Sequence, residues 1–266
     1  MRGSPQISIV IAAFRAVGNL PRAIDSVLGQ VDVISELIVI DGASEDGTVE
    51  LLESYGEQIT VWLSEPDHGI YDAWNKGVAL AQGQWIAFLG ADDVFVPDAL
   101  ARYQSFVLSH PELDYVSSRL CLIHRNGASR IIGQAWSWPI FRHYMNVAHV
   151  GSLHHRRLFD RHGGFDVTWR ICGDYEFLLR FGAQLRAGFV DEVLVEMAAG
   201  GISESSTRGI IETLRIKLRL ASVGVIQAWL DFLEAWCKWH VRRLFQRLQG
   251  RCRRPWLRLN QDLRLF

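Results

Sequence analysis

The sequence predicts an α/β protein in which a mostly parallel sheet is flanked by helices, and three observations carry that prediction. Apolar runs bounded by polar residues recur at 7–13, 36–41 and 85–89, the first of them rich in β-branched residues. Continuous apolar runs of this length belong to strands buried on both faces of a parallel sheet. Segments with apolar residues at helical spacing lie between them, giving the order β-α-β-α of a doubly wound sheet. Strand ends also deliver acids into loops, and in open α/β sheets ligands bind outside the carboxyl ends of the strands.

Taken in order, Ile7 to Ala13 (ISIVIAA) is the first strand. Asn19 to Gln30 places Leu20, Ile24, Val27 and Leu28 on one helical side, with Asn19 as a cap and Pro21 in the first turn, where its missing N–H costs little. Glu36 to Asp41 (ELIVID) is the second strand, followed by a polar turn through Gly42, Ser44, Asp46 and Gly47 and a helix from Thr48 to Tyr55. Ile59 to Leu63 makes a short third strand and Asp72 to Ala81 a helix; Trp85 to Leu89 is a fourth strand running into Gly90, Ala91, Asp92 and Asp93. A helix from Pro97 to His110 precedes a hairpin over 115–132 that turns at Arg125-Asn126-Gly127. From Trp136 to Gly164 the pattern is irregular and rich in His and aromatic residues, which reads as a binding surface more than a layer. Asp174 to Phe181 is a helix and Gly188 to Met197 a strand, and from Thr207 the chain is helical and basic.

The 266 residues fit one large α/β domain plus an appendage, divided here as 1–206 and 207–266. A chain that is 49% hydrophobic and 21% charged can bury a sizeable core, which excludes disorder and collagen-like repetition. The net charge of -1 hides two opposed parts. Residues 1–206 carry 15 Arg and Lys against 25 Asp and Glu, whereas 207–266 carry 13 against 4, a balance of +9. Cys121, Cys172, Cys237 and Cys252 form no C-x-x-C pair, so neither a disulfide framework nor a zinc site is expected. No cleavage pattern follows the first apolar run and no apolar stretch spans a bilayer, so the expected location is cytoplasmic.

The strongest chemical signal is Phe88 to Asp93 (FLGADD). Two adjacent carboxylates at a strand end carry a like-charge cost that a divalent cation relieves, and a diphosphate would complete the cation's shell. The competing reading of the same acids is a helix cap before Pro97 to Leu100.

These motifs together resemble the family-2 glycosyltransferases with the GT-A fold. That family's usual text is a V-S-V-I-I-P-T-Y-N-like first strand, a D-D-G-S-x-D-G-T loop and a D-x-D or A-D-D pair. Here those stand as Ile7 to Arg15 (ISIVIAAFR), Asp41 to Thr48 (DGASEDGT) and Gly90 to Asp93 (GADD). Ser64 to Gly77 (SEPDHGIYDAWNKG) is similar to the branch that builds bacterial exopolysaccharides, capsules and O-antigens, and the likeness continues more weakly through GGFD (163–166) and GDYEFLLR (173–180).

The resemblance implies a nucleotide-sugar site of Ala12, Phe14, Asp41, Asp72, Asn75, Lys76 and Asp92. Phe14 stands in the place of an aromatic residue near the base, and Asp41 in that of a carboxylate accepting from the uracil N–H. Asp92 and Asp93 match the acids that hold Mg²⁺ or Mn²⁺, with either as the ligand, and Gly90 stands where the family often has a further Asp or Asn. Asp174 matches the general base of an inverting transfer, with Glu176 as fallback and Gly173 as a departure. His149 matches a residue bordering the acceptor pocket, and Gly200-Gly201-Ile202-Ser203 a loop after the last strand. Plain structural roles stay open beside these: Phe14 as core, Asp41 as a turn residue, Asp174 as a helix cap, Lys76 on a solvated face. His154, His155 and His162 are read as surface or structural.

The expected activity is therefore a metal-dependent inverting transfer of a sugar from a nucleotide donor, most simply a UDP-sugar, to a saccharide or lipid-linked acceptor in bacterial polysaccharide synthesis. The rivals are a sugar-nucleotide pyrophosphorylase, which needs a Gly-rich loop after the first strand where this chain has only Gly18, and a non-catalytic binding subunit. The basic tail interleaves Trp229, Phe232, Leu233, Trp236 and Trp239 with Lys238, Arg242, Arg243 and Arg247. It suits either peripheral contact with an anionic membrane or packing on the acidic domain. Nucleic acid is not expected, since no binding module accompanies the charge.

Overall fold

β1 (Ile7–Ala13) has every residue but Ala12 buried, because it pairs in parallel with β2 (Ser35–Asp41) on one side and β4 (Trp85–Gly90) on the other. Its alternate residues feed two different layers. Ile7, Ile9, Ile11 and Ala13 join a core cluster with Leu20, Ala23, Ile24 and Val27 of α1 (Leu20–Leu28). Val10 faces the other way, against Gly77 of α3 (Ile70–Leu80), where no side chain fits. Helices thus cover both faces of the strand, as its unbroken apolar text requires. This is a computed structural model, and it describes residues 6–124, 126–201 and 207–259.

The remaining elements of the first unit are α2 (Thr48–Tyr55), β3 (Val61–Ser64), β5 (Val94–Phe95), α4 (Ala99–Ser109), β6 (Tyr115–Ile123), β7 (Ser129–Ile132), α5 (Trp138–Phe141), β8 (Leu153–His155), α6 (Arg157–His162), α7 (Gly173–Leu179) and β9 (Ala187–Ala198). The sheet order is β3-β2-β1-β4-β8-β6-β9-β5, with β7 paired to β6. β1 to β4 are parallel. Beyond β4 the sheet becomes mixed: β8 is antiparallel to both β4 and β6, while β6 and β9 are parallel.

β8 departs from the sequence reading, which made 136–164 an irregular surface. Leu-His-His has no strand signature, yet it fills the middle of the sheet because His154 is fully buried among the rings of Phe88, Tyr115, Phe159 and Phe177. Asn19 also differs, taking helical dihedrals and making no side-chain cap, while Pro21 sits in the first turn of α1 as read. The β6–β7 turn closes through the His124 N–H donating to the Ala128 carbonyl (2.8 Å), with Gly127 at φ 83°; Arg125 lies outside the described residues.

Contacts divide the chain into two compact units, Met1–Ser205 and Ser206–Phe266. In the second, α8 (Arg208–Leu220) and α9 (Val225–Leu259) are joined through Ala221, whose φ of 49° is left-handed. Lys217 of α8, 2% exposed, pairs with Asp231 of α9 at 2.7 Å. Burial pulls its ammonium below the ordinary lysine range, against the pull of Asp231. No helix among the described residues is long and apolar enough to cross a membrane.

Candidate active site

The register lines four strand ends into one row. Ser64 of β3 is opposite Asp41 of β2, Asp41 is opposite Ala13 of β1, and Ala12 is opposite Gly90 of β4. With a strand spacing of about 4.8 Å, the segments that follow, 14–18, 42–47, 65–69 and 91–93, open onto one crevice.

Phe14 is 60% exposed and is therefore not core. The turn that turns it outward is unusual, because Arg15 takes φ 51° and its N–H donates to Ser44 Oγ at 2.7 Å. Non-glycine residues held in this region collect at functional sites. The Arg15 guanidinium lies 5.1 Å from the Phe14 ring centroid.

Asp41 is not placed to contact a base. It is fully buried, and its carboxylate accepts the Ser44 N–H (2.9 Å), the Ser44 hydroxyl and the Ser64 hydroxyl (2.6 Å). Its role is to tie the β2 loop to β3. Another carboxylate does approach Phe14. Asp67, half-buried, accepts the Gly69 N–H through Oδ1 (2.7 Å), and its Oδ2 stands 2.7 Å from where a Cβ on Gly42 would be.

Asp92 is exposed and Asp93 is buried. Asp93 accepts the Gly90 N–H and the Ala198 N–H, both at 3.2 Å. Burial, and then the Asp92 charge, push its carboxyl up to about 7. Both acids point into one cradle: a Cβ on Gly90 would lie 2.6 Å from Asp93 Oδ2 and 3.2 Å from Asp92 Oδ1. A hard divalent cation fits two such oxygens. Among the described residues no third His, Cys, Asp or Glu joins them, so phosphate and water would complete the shell.

Asp174 opens α7 and is half-buried. Its Oδ1 accepts the Tyr175 N–H (2.8 Å) and lies 3.1 Å from the Tyr71 hydroxyl, which is also 2.7 Å from the Ile171 carbonyl oxygen. Burial, then the charge of Asp174, hold the Tyr71 hydroxyl well above the ordinary tyrosine range, so it stays a donor. Gly173 now has a reason. A Cβ there would come within 2.7 to 2.9 Å of the Tyr71 ring. Glu176, the fallback base, is 2% exposed and held by Arg180 through two nitrogens (3.0 and 2.6 Å), so its carboxylate is engaged in an ion pair.

The donor-pocket residues expected on α3 use their polar ends inside the protein. Asp72 accepts the His68 N–H (2.9 Å). Asn75 both accepts from and donates to the Phe165 backbone (2.8 and 2.9 Å). Lys76 donates to the Pro66 carbonyl (2.9 Å) and pairs with Glu65 (2.8 Å). These groups fasten the 65–69 loop and the 163–165 loop around the crevice. His149, expected at the acceptor side, is 5% exposed and stacked on Trp74 (5.3 Å), and among the described residues neither ring nitrogen has a hydrogen-bond partner. It is core, and burial lowers it to about 3. Of the Gly200 to Ser203 loop, Ile202 and Ser203 lie outside the described residues.

Asp67 and Tyr71 were not singled out from the sequence. Both lie in the quoted SEPDHGIYD segment, and the signal for each was a glycine elsewhere, Gly42 and Gly173, standing where the resembling family has a side chain.

Residues 8–153 match the family described as Glycosyl transferase family 2. A PGL/p-HBAD biosynthesis glycosyltransferase of Mycobacterium tuberculosis is 31% identical over 182 residues, 66% of this chain and 70% of that protein. A chondroitin synthase of Pasteurella multocida is 29% identical over 66% of this chain, but over only 19% of its own length. Among solved structures, Staphylococcus aureus TarS 1–349 in complex with UDP-GlcNAc matches with a TM-score of 0.68 over 86% of this chain and 71% of that one, at 15% identity. A mannosyltransferase from Pyrobaculum calidifontis, in complex with GDP-Man and Mn²⁺, gives 0.65 over 86% and 70%, at 16% identity. At such identities the structural likeness shows the fold alone, which is GT-A.

Proposed function

The chain belongs to glycosyltransferase family 2 and is a glycosyltransferase of glycan biosynthesis, and from that premise we propose that it moves a sugar from a UDP-linked donor to a saccharide or lipid-linked acceptor with inversion. The observation that carries the reading is the crevice at the strand ends, with an exposed aromatic ring at Phe14 and two carboxylates in one cradle at Asp92 and Asp93, and with Asp174 bonded to the Tyr71 hydroxyl of the helix that follows the 65–69 loop.

In this reading Phe14 stacks on the nucleobase and Asp174 takes the acceptor hydroxyl's proton. The acceptor oxygen bonds to the anomeric carbon as the bond to the diphosphate breaks on the opposite face. Asp92 and Asp93 would hold Mg²⁺ or Mn²⁺, which neutralises the charge of the leaving diphosphate. Tyr71, together with the Tyr175 N–H, holds the Asp174 carboxylate in place. A panel of nucleotide sugars offered with Mn²⁺, scored for slow donor hydrolysis, tests the reading. Release of UDP from at least one UDP-sugar is expected, and binding without turnover of any donor would leave a non-catalytic subunit. The family match over 8–153 stands against the pyrophosphorylase alternative.

We further propose that the second unit brings the enzyme to a lipid-linked acceptor at an anionic membrane face. On α9, Ile226, Trp229, Leu230, Leu233, Val241 and Leu244 are all exposed. At 100° per residue they fall on one side of the helix, in a region whose balance is +9. Basic residues near an anionic surface contribute about 1 kcal/mol each, screened by salt. Full-length protein should sediment with anionic liposomes at low salt and release at high salt, and a truncation after Ser206 should lose sedimentation while keeping donor hydrolysis. Absence of low-salt binding removes this proposal.

A further inference from the structure

We infer that Tyr144 is a platform for the acceptor, stacking on the C–H face of a pyranose ring beside Asp174. The inference rests on the reading of Asp174 as the base and deepens it by naming the acceptor's chemistry. Its starting point is exposure. Among the described residues of the first unit, the only exposed Phe, Tyr or Trp rings are Phe14 (60%) and Tyr144 (58%). Phe14 belongs to the donor end of the site. Tyr144 comes from another part of the chain, the 134–146 segment between β7 and β8.

Local bonding fixes where that ring stands. The neck of the segment is closed by the Gln134 N–H donating to the Asn146 carbonyl (3.1 Å) and by the Asn146 side-chain amide donating to the Ala135 carbonyl (2.9 Å). Helical winding continues past α5, because the Arg142 N–H donates to the Trp138 carbonyl (3.1 Å) and the Tyr144 N–H to the Ile140 carbonyl (3.2 Å). Trp138, Phe141 and Tyr144 therefore follow one another at i, i+3 spacing along one side. The first two meet α7 in order. Trp138 lies 3.9 Å from where a Cβ on Gly182 would be, just past the carboxyl end of α7. Phe141, fully buried, packs on the ring of Tyr175 in the first turn of α7 (5.1 Å), and the Tyr175 hydroxyl donates to the Arg142 carbonyl at 3.1 Å. The row runs from the carboxyl end of α7 toward its amino end, so its third member, Tyr144, falls at the end where Asp174 stands.

Chemistry names the occupant. The acceptor hydroxyl must reach Asp174, so the sugar that bears it, or its neighbour in the chain, passes this end of α7. An aromatic ring is negative on its face, and the axial C–H bonds on one face of a pyranose are apolar and weakly positive. Stacking satisfies both. The tyrosine hydroxyl can in addition donate to, or accept from, a sugar hydroxyl. A bare lipid phosphate offers no such face, so the part of the acceptor that meets the enzyme is a saccharide.

Saturation-transfer difference NMR on the full chain with UDP and Mn²⁺ tests this, with the methyl β-glycosides of glucose, galactose and N-acetylglucosamine as probes. Wild type should saturate the ring C–H protons of at least one probe. Tyr144→Ala should weaken that binding about three- to tenfold, the worth of an aromatic stacking contact, and raise the KM for the same glycoside as acceptor by the same factor. Tyr144→Trp should restore binding, whereas Tyr144→Leu, apolar but not flat, should not; thermal melts check that the variants fold. If Tyr144→Ala or Tyr144→Leu binds the probe as wild type does, the platform falls and the donor reading stands. If wild type binds UDP but no probe, the acceptor is not held by a pyranose face and the inference falls alone. Binding of neither overturns both.

Discussion

Glu36, at the amino end of β2, and Asp93, past the carboxyl end of β4, are each 5% exposed, but their surroundings differ in one respect. Glu36 Oε1 accepts the Ser8 hydroxyl, the Gln82 N–H and the Gly83 N–H (3.0 Å). Its donors come from β1 and from the turn before β4, so the acid closes that end of the sheet. Asp93 has two backbone N–H groups at 3.2 Å and another carboxylate for a neighbour, and its carboxyl is pushed up to about 7. Burial is the same at both ends, and the balance of donors is not. A buried acid surrounded by donors stabilises, whereas one set beside a like charge is short of positive partners and is suited to receive them.

The sharpest way to break the comparison is to exchange the losses. Asp174→Asn should lower turnover by on the order of 10² to 10⁴, with donor affinity unchanged. Asp92→Ala or Asp93→Ala should cost about 10³-fold or more in transfer, the several kcal/mol of diphosphate neutralisation, without lowering the melting temperature. Full activity of both alanine variants in EDTA would overturn the cation. Glu176→Gln, which opens the bond to Arg180, should lower stability instead, and the reverse pattern would move the base to Glu176.

At the other end, Glu36→Ala leaves three donors without their acceptor and should cost about 2 to 3 kcal/mol of stability, with kcat per folded molecule unchanged. Denaturant unfolding and activity measured on the same preparation check both halves. A loss of turnover at full stability would mean that the amino end also takes part in catalysis.

Between the two ends lie two buried histidines. His149 and His154 sit 4.9 Å apart among aromatic rings. Burial lowers His149 to about 3 from its ordinary 6.5, and burial, reinforced by His149, lowers His154 in the same direction. The folded protein holds the neutral form and the unfolded chain binds protons first. The stabilisation is therefore complete above pH 6.5 and declines as pH falls toward 3, by up to about 1.4 kcal/mol per pH unit for His149. Melting curves from pH 7 to pH 4 should show this slope, and His149→Phe should flatten it.

These particulars separate what the sequence made legible from what it did not. β1 to β4 were readable because each is an apolar run with its own bounds, and Thr48–Tyr55 came out to the residue. β8 was not readable, since its burial depends on rings brought from β4, β6, α6 and α7, and nothing local marks it. Asp92, Asp93 and Asp174 stood in legible motifs. The error over Asp41 arose because a motif names a position while the hydrogen-bond donors that fill it, Ser44 and Ser64, come from folding. Asp67 and Tyr71 were hidden for the same reason: each occupies the space left by a glycine far away in the chain.

The smallest expected effect concerns that second pairing, and it bears on how the open end is kept in shape. Tyr71 comes from α3 and reaches Asp174 of α7 across 103 positions of sequence, with its ring in the space beside Gly173. Its hydroxyl is one of several contacts of the base, so its removal should not abolish the reaction. Tyr71→Phe should lower kcat by about three- to tenfold, the net worth of one hydrogen bond, while the KM for donor stays constant because the hydroxyl is directed at Asp174 and the Ile171 carbonyl. Gly173→Ala keeps the hydroxyl but displaces the ring, and the same loss in kcat is expected from it. If Tyr71→Phe lowers only the melting temperature, the tyrosine belongs with Glu36 among the groups that hold the fold, and the division between the two ends would have to be redrawn through α3.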